Sequence, residues 1–197
     1  MMLMSQSPTA LPILHTPRLT IRPFTVDDAE AYHAIVSATF GTTKTLAQHR
    51  QHLQWLALNE VALAELVQPP YGDRAIVLRD SNQLIGAMGF VPSLGPFAQL
   101  TCFAHESPTD QAQRFTPEVG LFWMIDPAHQ RNGYASEAAQ ALIEYAGTRL
   151  NLRRIIATTE YDNAASIAVM RKLGMSIEHN PLPTPAWFQV VGVFTFS

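Results

Sequence analysis

The sequence predicts one α/β (α+β) domain built around a mixed sheet of about seven strands, with about four helices. Three patterns lead to this expectation. Apolar runs of strand length recur along the chain, stretches with helical spacing lie between them, and the second half alternates strand, helix, strand, helix and strand. A chain of 197 residues with 47% hydrophobic residues can bury one large core and is short for two domains.

The first predicted strand and helix lie in the stretch RLTIRPFTVDDAEAY. Leu19 and Ile21 alternate with polar residues, which is the pattern of a half-buried strand. Thr25 and Asp28 have the spacing of a capping box, and apolar residues then recur at helical spacing as far as Gly41.

A second, longer helix is predicted to start at Thr42 or Thr43 and to end before Pro69. The segments AIVLRD and LIGAMGFV, joined by the turn SNQ, then form a hairpin signal. Residues 92–116 show little periodicity, and we interpret them as a loop insertion.

The second half predicts four more strands and two more helices. EVGLFWMI is a near-continuous apolar run, as in a strand buried on both faces. An alanine-rich helix and the strand RRIIATTEY come next. Asn163 and Gly174 mark the start and the end of the following helix, and MSIEHN and WFQVVGVFTF predict the last two strands.

Composition and charge exclude several classes of function. The net charge is −3 and the 13 Lys and Arg residues are scattered, so the chain has no basic stripe for direct nucleic-acid binding. No window approaches the ~18 consecutive apolar residues of a membrane-spanning helix, so no membrane partner is expected. A single cysteine, Cys102, allows no disulfide within the chain, and we expect a cytoplasmic protein.

We expect a single folded domain over residues 18–197. The residues before it, 1–17, include the proline-bearing segment SPTALPILHTP and are predicted to be a poorly ordered lead-in.

The stretch IDPAHQRNGYASEAAQALIEYA joins the fourth strand to the alanine-rich helix. The start of that helix presents unpaired N–H groups to the loop 130–133, which favours an anion, and Gly133 lacks the Cβ that would keep a phosphate away. The loop has neither the lysine of a Walker loop nor three spaced glycines, which argues against ATP and NAD. On these residues alone, an ordinary strand–helix connection explains the glycine equally well.

Several segments together resemble one family. QRNGYA resembles the Q/R-x-x-G-x-G/A signature of the GNAT superfamily of acetyl-CoA-dependent N-acetyltransferases. TPRLTIRPFTVDDAEAY resembles the start of its ribosomal-protein N-terminal (Rim-type) acetyltransferase-like branch, EVGLFWMIDP its fourth strand, and NAASIAVMRKLGM its Asn-x-x-Ser helix. The resemblance covers most of residues 18–175. It implies a GNAT-like mixed, mostly antiparallel twisted sheet with a splayed central strand pair.

The resemblance also implies acetyl-CoA as the cofactor, with most of its ligands near one helix start. Met124 and Ile125 fall where the family's fourth strand offers backbone groups to the pantetheine arm. A bulge over residues 122–124 would free one N–H to polarise the thioester carbonyl. The family's pyrophosphate loop falls on the next residues, with the Ser136 hydroxyl at the same helix end. Those loop residues are Gln130, Arg131, Asn132, Gly133, Tyr134 and Ala135.

The predicted catalytic groups also come from the resemblance. Asn163 and Ser166 fall on positions that face the cofactor, although Asn163 fits a helix N-cap as well. Many members carry a tyrosine acid four residues before the glycine; here that residue is Met170, so Ser166, or a water that it holds, is expected to serve the leaving thiolate.

An amine must lose a proton before it attacks, and Glu118 is the predicted base, with Glu160 as second choice. For each of the two, a solvated carboxylate at the end of a strand is an equal alternative.

These inferences predict an N-acetyltransferase that passes the acetyl group directly to an amine, either a protein N-terminus or a small amine. No acyl-enzyme is expected, because Cys102 lies in the irregular insertion 92–116 and shows no catalytic Cys–His signature. A non-catalytic module that binds or senses acyl-CoA is the alternative. We expect the insertion 92–116 to form a lid over the acceptor.

Two further expectations concern metal and assembly. His49 and His52 have a spacing found in metal sites, but no cysteine or carboxylate pattern completes one, so a solvated helix face and no metal are expected. Either a monomer or a homodimer paired through a strand edge near the C-terminus fits the sequence.

Overall fold

The computed structural model describes residues 11–103, 114–181 and 185–196. Its described helices are α1 (Ala29–Phe40), α2 (Leu46–Glu65), α3 (Tyr134–Thr148) and α4 (Ala164–Lys172). Its described strands are β1 (Leu14–His15), β2 (Leu19–Arg22), β3 (Gly72–Leu78), β4 (Leu84–Gly95), β5 (Thr116–Ile125), β6 (Arg154–Thr159), β7 (Ser176–His179) and β8 (Val190–Thr195). The predicted α/β (α+β) class is confirmed, with β1 as one short strand beyond the seven predicted.

The strands form one sheet in the order β1-β2-β3-β4-β5-β6-β8-β7. Apart from β5 and β6, which are parallel, the strand pairs with a described register are antiparallel. β5 and β6 are in register at a single described position, where Gly120 lies opposite Ile156. By contrast, the antiparallel partners β6 and β8 pair along the whole of Arg154–Thr159. The mostly antiparallel sheet and its splayed strand pair are therefore confirmed.

The chain divides into two compact units. Unit 1 comprises Met1–Phe90 and Phe122–Asn151, and unit 2 comprises Val91–Leu121 and Leu152–Ser197. In unit 1, α1 and α2 pack on β3 and β4 through an apolar cluster that includes Tyr32, Leu53, Leu56, Val77 and Ala87. In unit 2, one apolar cluster contains Phe97, Leu100, Phe103, Ile156, Phe188, Val191 and Val193.

The starts of α1 and α2 in unit 1 follow local capping chemistry. Before α1, the predicted capping box of Thr25 and Asp28 is present, and Gly41 ends the helix in the left-handed region at φ 65°. The predicted cap of α2 at Thr42 or Thr43 is wrong, because the helix starts after Thr45. The Thr45 side chain accepts a hydrogen bond from the Gln48 N–H, three residues on, at 3.3 Å.

The two histidines of α2 differ from the expected solvated face. His49 is only 2% exposed, and its Nδ1 lies 3.0 Å from Nδ1 of His33 on α1. Burial, followed by the neighbouring His33, lowers the pKa of His49. His52 is half-buried and stacks on Trp55, with 5.9 Å between ring centroids. In the described part of the chain, no cluster of three or more His, Cys, Asp or Glu side chains is arranged to hold a metal ion.

The start of the described chain differs from the predicted lead-in of residues 1–17. Residues 14–15 form β1, paired antiparallel with β2, and Leu11 is 2% exposed. The Arg74 guanidinium holds this segment in place, because it donates hydrogen bonds to the carbonyl oxygens of Leu11 and Pro12 at 2.9 and 3.2 Å. Residues 1–10 lie outside the described residues, and the single domain over residues 18–197 stays a prediction.

The predicted insertion 92–116 begins later than expected, because its first residues belong to β4. β4 continues through Pro92 to Gly95, with Pro92 and Leu94 exposed and Ser93 half-buried. This alternation is that of a strand with one solvated face. Residues 104–113 of the insertion lie outside the described residues, so its predicted role as a lid stays a prediction.

Among the described residues, no helix combines the length and the apolar character needed to cross a membrane.

Candidate active site

The end of β5 carries the two residues predicted to meet the pantetheine arm. Met124 and Ile125 are 4% and 7% exposed, and the next N–H, that of Asp126, donates to the Ile85 carbonyl of β4 at 2.8 Å. A Cβ on Gly86 would lie 2.2 Å from the Met124 carbonyl oxygen, so a side chain there would collide with β5. β4 therefore holds the end of β5 closely before the chain enters the loop.

The loop after β5 is closed by two of its own amide side chains. Gln130 Nε2 donates to the Ile125 carbonyl at 3.1 Å, and Asn132 Nδ2 donates to the carbonyls of His129 and Gln130, each at 3.1 Å. Arg131 adopts a left-handed conformation at φ 64°. The side-chain amides of Gln130 and Asn132 thus shape the loop. The Gln130 N–H donates to the Pro127 carbonyl at 3.5 Å, whereas the N–H groups of residues 131–133 have no described acceptor and are the loop donors suited to a ligand.

The start of α3 lacks a side-chain cap. Gly133 is the N-cap residue, at φ 80° and ψ 6°, and no side chain accepts a hydrogen bond from the first turn in the described structure. The Glu137 N–H makes the first helical return bond, to the Gly133 carbonyl at 3.1 Å. The N–H groups of Tyr134, Ala135 and Ser136 precede that bond and lie at the positive end of the helix dipole. This geometry suits an anion.

An ion pair that the sequence did not reveal supports this helix start. Arg18, at the beginning of β2, donates from Nε to Glu137 Oε2 at 2.6 Å and from Nη1 to the Asn132 carbonyl at 3.0 Å. The Thr16 hydroxyl donates to Glu137 Oε1 at 2.6 Å. The Arg18 guanidinium also lies over the Tyr134 ring, 4.5 Å from its centroid. Arg18 therefore links the loop and the first turn of α3 to β2.

The carboxyl of Glu137 is held in its charged form. Burial opposes ionisation, but hydrogen bonds from Thr16 and Arg18 outweigh it and lower the pKa of Glu137. An acidic residue in the first turn of a helix is a familiar sequence signal. Its partner Arg18 lies 119 residues earlier, and no local pattern connects the two.

In unit 2, the predicted base Glu118 is half of a buried ion pair. Both of its carboxylate oxygens accept hydrogen bonds from Arg154, with Nε at 2.9 Å from Oε2 and Nη2 bonded to Oε1. The Glu118 side chain is 8% exposed, so the alternative of a solvated carboxylate is wrong for this residue. Arg154 in turn lies 4.3 Å from the Phe103 ring centroid. Glu160, the second choice, is exposed.

The Asn-x-x-Ser pair lies at the start of α4. Asn163 Oδ1 accepts a hydrogen bond from the Ser166 N–H at 3.1 Å, so Asn163 is the helix N-cap. Ser166 is half-buried. Met170, at the position of the missing tyrosine, is fully buried, and its Sδ would lie 3.0 Å from a Cβ placed on Gly192. Met170 is therefore a core residue and supplies no acid.

One perturbed carboxyl in unit 1 gave no sequence signal. Asp73, on β3, is half-buried, and desolvation raises its pKa to about 6. Burial and then the charge of Asp73 raise the pKa of Tyr32 on α1 to about 12. Asp73 thus changes its charge closer to neutral pH than an ordinary aspartate.

Each unit brings together part of the predicted set. Unit 1 holds Met124, Ile125 and residues 130–136, which follow one another along the end of β5, the loop and the first turn of α3. Unit 2 holds Glu118, Asn163 and Ser166, of which the last two are in direct contact.

Comparison with known proteins identifies one family. The model of the acetyltransferase (GNAT) domain matches residues 18–176. A Bacillus subtilis protein described as the uncharacterized N-acetyltransferase YnaD is 32% identical over 167 residues, which cover 83% of this chain and 82% of that one. The spermidine N(1)-acetyltransferase of Escherichia coli K12 is 36% identical over 55 residues, or 28% of this chain and 30% of that enzyme.

Solved structures share the fold. An acetyltransferase (GNAT family) from Bacillus anthracis aligns with a TM-score of 0.64 at 24% identity, covering 94% of this chain and 98% of that one. RimL, a ribosomal L7/L12 α-N-protein acetyltransferase solved in complex with coenzyme A, aligns with a TM-score of 0.61 at 18% identity, covering 93% and 96%.

The family match spans most of the chain, and the relatives are described as N-acetyltransferases. These findings do not favour the alternative of a non-catalytic module. This chain belongs to the GNAT acetyltransferase family and is an N-acetyltransferase.

Proposed function

We propose that acetyl-CoA binds with its pyrophosphate on the loop Gln130–Gly133 and the first turn of α3. The observation that carries the proposal is the uncapped start of α3 at Gly133, in the left-handed region at φ 80°. Backbone N–H groups at such a start bind phosphate oxygens without help from a lysine. The Ser136 hydroxyl lies in the first turn at the same helix end. A solved structure of the same fold, RimL, contains coenzyme A.

The rest of the cofactor site is assigned by the family resemblance. Met124 and Ile125 are proposed to offer backbone groups to the pantetheine arm, as an added strand would receive them. The close approach of β4 at Gly86 supports this role, because it holds the end of β5 in place. The bulge over residues 122–124, with an N–H aimed at the thioester carbonyl, remains part of the proposal.

Ser166 is the proposed group next to the leaving sulfur. Acetyl-CoA, when bound, supplies a thioester whose carbonyl carbon is open to attack by an amine. The Ser166 hydroxyl is half-buried and has no described hydrogen bond that occupies it, whereas Asn163 Oδ1 is engaged in the cap. A serine hydroxyl, or a water that it orients, can donate a proton to a departing thiolate. Met170 lies in the core, which leaves Ser166 as the candidate donor among the assigned residues.

Glu118 remains the proposed base that removes a proton from the amine. Its ion pair with Arg154 gives it a second possible role, which is to position the Arg154 side chain. Its fork with Arg154 is bidentate, and such pairs hold both groups in a fixed geometry. If Glu118 is the base, Glu118→Gln will leave coenzyme A affinity unchanged and lower kcat/KM by about 100-fold. If it only positions Arg154, the variant will lower the thermal midpoint and keep the rate of the folded enzyme. Rates measured over a pH series separate the two outcomes.

Transfer without an acyl-enzyme is the proposed route. Cys102 carries the lone thiol and is an exposed residue. Partial burial of its thiol, followed by the nearby Glu178 carboxylate, raises the pKa of Cys102 to about 12. A thiol of such high pKa is almost entirely protonated at neutral pH and is a poor nucleophile. Direct attack of the amine on the thioester needs no such group.

The proposed acceptor is an amine, either a protein N-terminus or a small amine. RimL, by its description, acts on a ribosomal protein N-terminus, and the partly similar E. coli enzyme acts on spermidine. A cytoplasmic setting, with no direct nucleic-acid or membrane partner, belongs to the same proposal.

Two measurements test this function. Isothermal titration is expected to give a micromolar Kd for coenzyme A, and a folded sample that fails to bind it would contradict the cofactor assignment. Mass spectrometry after incubation with acetyl-CoA and a panel of N-terminal peptides and small amines, spermidine among them, is expected to show a product 42 Da heavier, about the mass of one acetyl group replacing a proton. Binding without any product would contradict the choice of acceptor classes.

A further inference from the structure

One carboxylate in unit 1 is partly buried without a partner. Asp73, on β3, is half-buried, and among the described residues its carboxylate accepts no hydrogen bond and forms no salt bridge. Loss of water is the cause of its raised pKa, so no neighbouring cation compensates for the burial. A desolvated carboxyl group without a partner disfavours folding. A ligand therefore explains this group better than a role in stability does.

Asp73 faces helices α1 and α2. Ala75, two residues later on β3, belongs to the apolar cluster that these helices cover, and every second side chain of a strand lies on the same face. Burial, and then the charge of Asp73, raises the pKa of Tyr32 on α1, so these two groups are close. The Tyr32 ring centroid lies 6.1 Å from that of His52 on α2. Asp73 is thus on the side of the sheet where aromatic rings meet, and aromatic rings attract cations as a carboxylate does.

Gly89 of β4 leaves a gap in the sheet face beside Asp73. The two residues lie opposite each other in the β3–β4 register. A Cβ added to Gly89 would collide with the Gly72 carbonyl oxygen, so no residue with a side chain fits there unless the two strands move apart. The space next to the Asp73 carboxylate therefore receives no side chain from this position of β4.

Phe122 of β5 borders the other side of this gap. The hydrogen bond and the close contact between β4 and the end of β5 show antiparallel strands, with Gly86 beside Ile125. Three residues further along each strand, Gly89 comes to lie beside Phe122. The Phe122 side chain also packs against the apolar cluster that contains Tyr32, so it lies on the face of Asp73. One row across three strands thus contains a carboxylate, a glycine and an aromatic ring.

We propose that Asp73 binds a second ammonium group of the acceptor, which makes a small diamine or polyamine the preferred substrate. This inference rests on the proposed function, in which the thioester lies at residues 122–124. Neighbouring strands are about 4.8 Å apart, so Asp73 on β3 lies about 10 Å from the backbone of β5. A base must be within hydrogen-bond reach of the proton that it removes. Asp73 is therefore too distant to serve the reacting amine, but it can hold a cation elsewhere on the same molecule.

The same distance sets the length of the acceptor. Contacts of about 3 Å at the carboxylate and at the thioester leave roughly 5 Å between the two nitrogens. Three methylene groups span about 5 Å and four span about 6 Å. The reacting nitrogen attacks as a neutral amine, the carbon–sulfur bond breaks, and the proton that the nitrogen loses is balanced by the one that the sulfur takes up. The second nitrogen keeps its proton and its charge throughout.

Three acceptors of similar length test the charge at the far end. 1,4-Diaminobutane has an ammonium group there, butylamine has a methyl group, and 4-aminobutanoate has a carboxylate. The wild type should acetylate 1,4-diaminobutane with a kcat/KM at least about tenfold above that of butylamine, the effect of one charge-assisted contact. 4-Aminobutanoate should be the poorest of the three, because its carboxylate would meet that of Asp73.

Asp73→Asn removes the charge and keeps the shape of the side chain. It should reduce kcat/KM for 1,4-diaminobutane to the level of butylamine, whose own value and the affinity for coenzyme A should not change. Its thermal midpoint should not fall, because a desolvated charge is lost. The matched control is Asp80→Asn, which changes an exposed aspartate in the turn after β3 and should behave as the wild type does. Circular dichroism confirms that each variant is folded.

Four outcomes would overturn the inference while the proposed function stands. They are equal kcat/KM values for the three acceptors, product with N-terminal peptides and none with diamines, an Asp73→Asn variant that keeps the preference, and an Asp80→Asn variant that loses it.

A failure of the proposed function has a different signature, in which no acceptor yields any product. Calorimetric titration of 1,4-diaminobutane into the folded protein with coenzyme A present then decides the role of Asp73 by itself. Binding that Asp73→Asn weakens at least about tenfold would support the ammonium site, and binding that is absent or equal in both proteins would overturn it.

Discussion

Helices α3 and α4 each follow a strand of the sheet, yet they begin in opposite ways. α4 starts with Asn163, whose side chain accepts a hydrogen bond from the Ser166 N–H at 3.1 Å. α3 starts with Gly133 in the left-handed region and has no side-chain cap. A capped start satisfies its own backbone donors, whereas an uncapped start keeps them for a ligand. The uncapped glycine start of α3 is therefore the feature that supports the proposed phosphate site.

The charged residues of α3 and α4 also differ in where their partners lie. In α3, the first turn contains Glu137, a negative charge close to the proposed phosphate site, and Arg18 neutralises it across the fold. In α4, the charged residues Arg171 and Lys172 lie in the last turn, where they complement the helix dipole. α4 is thus satisfied by its own sequence, while α3 depends on a residue from β2.

The largest expected effect comes from placing a bulky side chain at the uncapped start. Gly133→Val should weaken coenzyme A binding at least 100-fold, about 2.7 kcal/mol, because its side chain occupies the space of the phosphate. The left-handed backbone should also cost about 1–2 kcal/mol of stability. The measurement is isothermal titration combined with thermal unfolding.

Gly174→Val is the matched control for this variant. Gly174 ends α4 at φ 77°, and a Cβ added there would meet no atom within 4 Å, so the control carries the same backbone strain without the steric conflict. It should lose similar stability and keep its coenzyme A affinity. Equal losses of affinity in both variants would show that strain, and not the phosphate site, explains the result.

A milder substitution makes the start of α3 resemble that of α4. Asn tolerates the left-handed region better than other residues with a side chain. Gly133→Asn should therefore keep stability within about 0.5 kcal/mol and weaken coenzyme A binding about tenfold. Titration against the wild type provides the check, and an unchanged affinity would argue that Gly133 serves only the turn.

Removing the cap of α4 should affect stability more than it affects binding of the pyrophosphate. Asn163→Ala is expected to cost about 1 kcal/mol in the free energy of unfolding, the usual value for a lost N-cap. Asn163→Asp keeps an acceptor oxygen and should retain most of this stability. Denaturant titration of both variants tests the cap. If Asn163 also contacts the cofactor, both variants will lose affinity although only the first loses stability.

The smallest expected effect concerns the charge in the first turn of α3. The pKa of Glu137 is lowered in the folded state, so its contribution to stability is present above its ordinary pKa of 4.5 and is lost as the pH falls below that value. Glu137→Gln should lower the free energy of unfolding at pH 7 by less than about 1 kcal/mol, because Arg18 is 47% exposed and solvent screens the pair. The difference between the variant and the wild type should shrink as the pH falls below 4.5.

Glu144→Gln, a change at an exposed glutamate of the same helix, is the control for this experiment. Thermal midpoints at pH 7, 5 and 3 give the comparison. A difference between Glu137→Gln and the wild type that stays the same from pH 7 to pH 3 would contradict the electrostatic explanation.

Much of the fold was predictable because its signals act over a few residues. The alternation of Leu19 and Ile21, the capping box of Thr25 and Asp28, and the glycine at position 174 each report on their own surroundings, and all were correctly interpreted. The boundary errors arose where two local signals compete. Thr42, Thr43 and Thr45 are all acceptable caps by residue type, but only Thr45 is followed three residues later by a glutamine, Gln48, which completes a capping box.

The same distinction between local and distant signals applies to the residues of the candidate site. The strand end, the loop and the helix start of the proposed pyrophosphate site were predicted correctly as structural elements, since they are contiguous from residue 124 to residue 136, and their role as a binding site stays a prediction. The setting of Glu118 was not, because its partner Arg154 lies 36 residues away on another strand. His49 was expected to be solvated, and only the position of α1 explains why it is buried against His33.

Periodicity, capping residues and glycine placement were therefore enough to define the four helices, seven of the eight described strands and the glycine at the start of α3, because those features depend on neighbours along the chain. Tertiary structure alone decided which charges meet. Arg18 neutralises Glu137 across 119 residues, and Arg154 occupies both oxygens of the predicted base. The strength of an ion pair depends on distance in space and on exclusion of water, and neither is written in the spacing of residues along a chain.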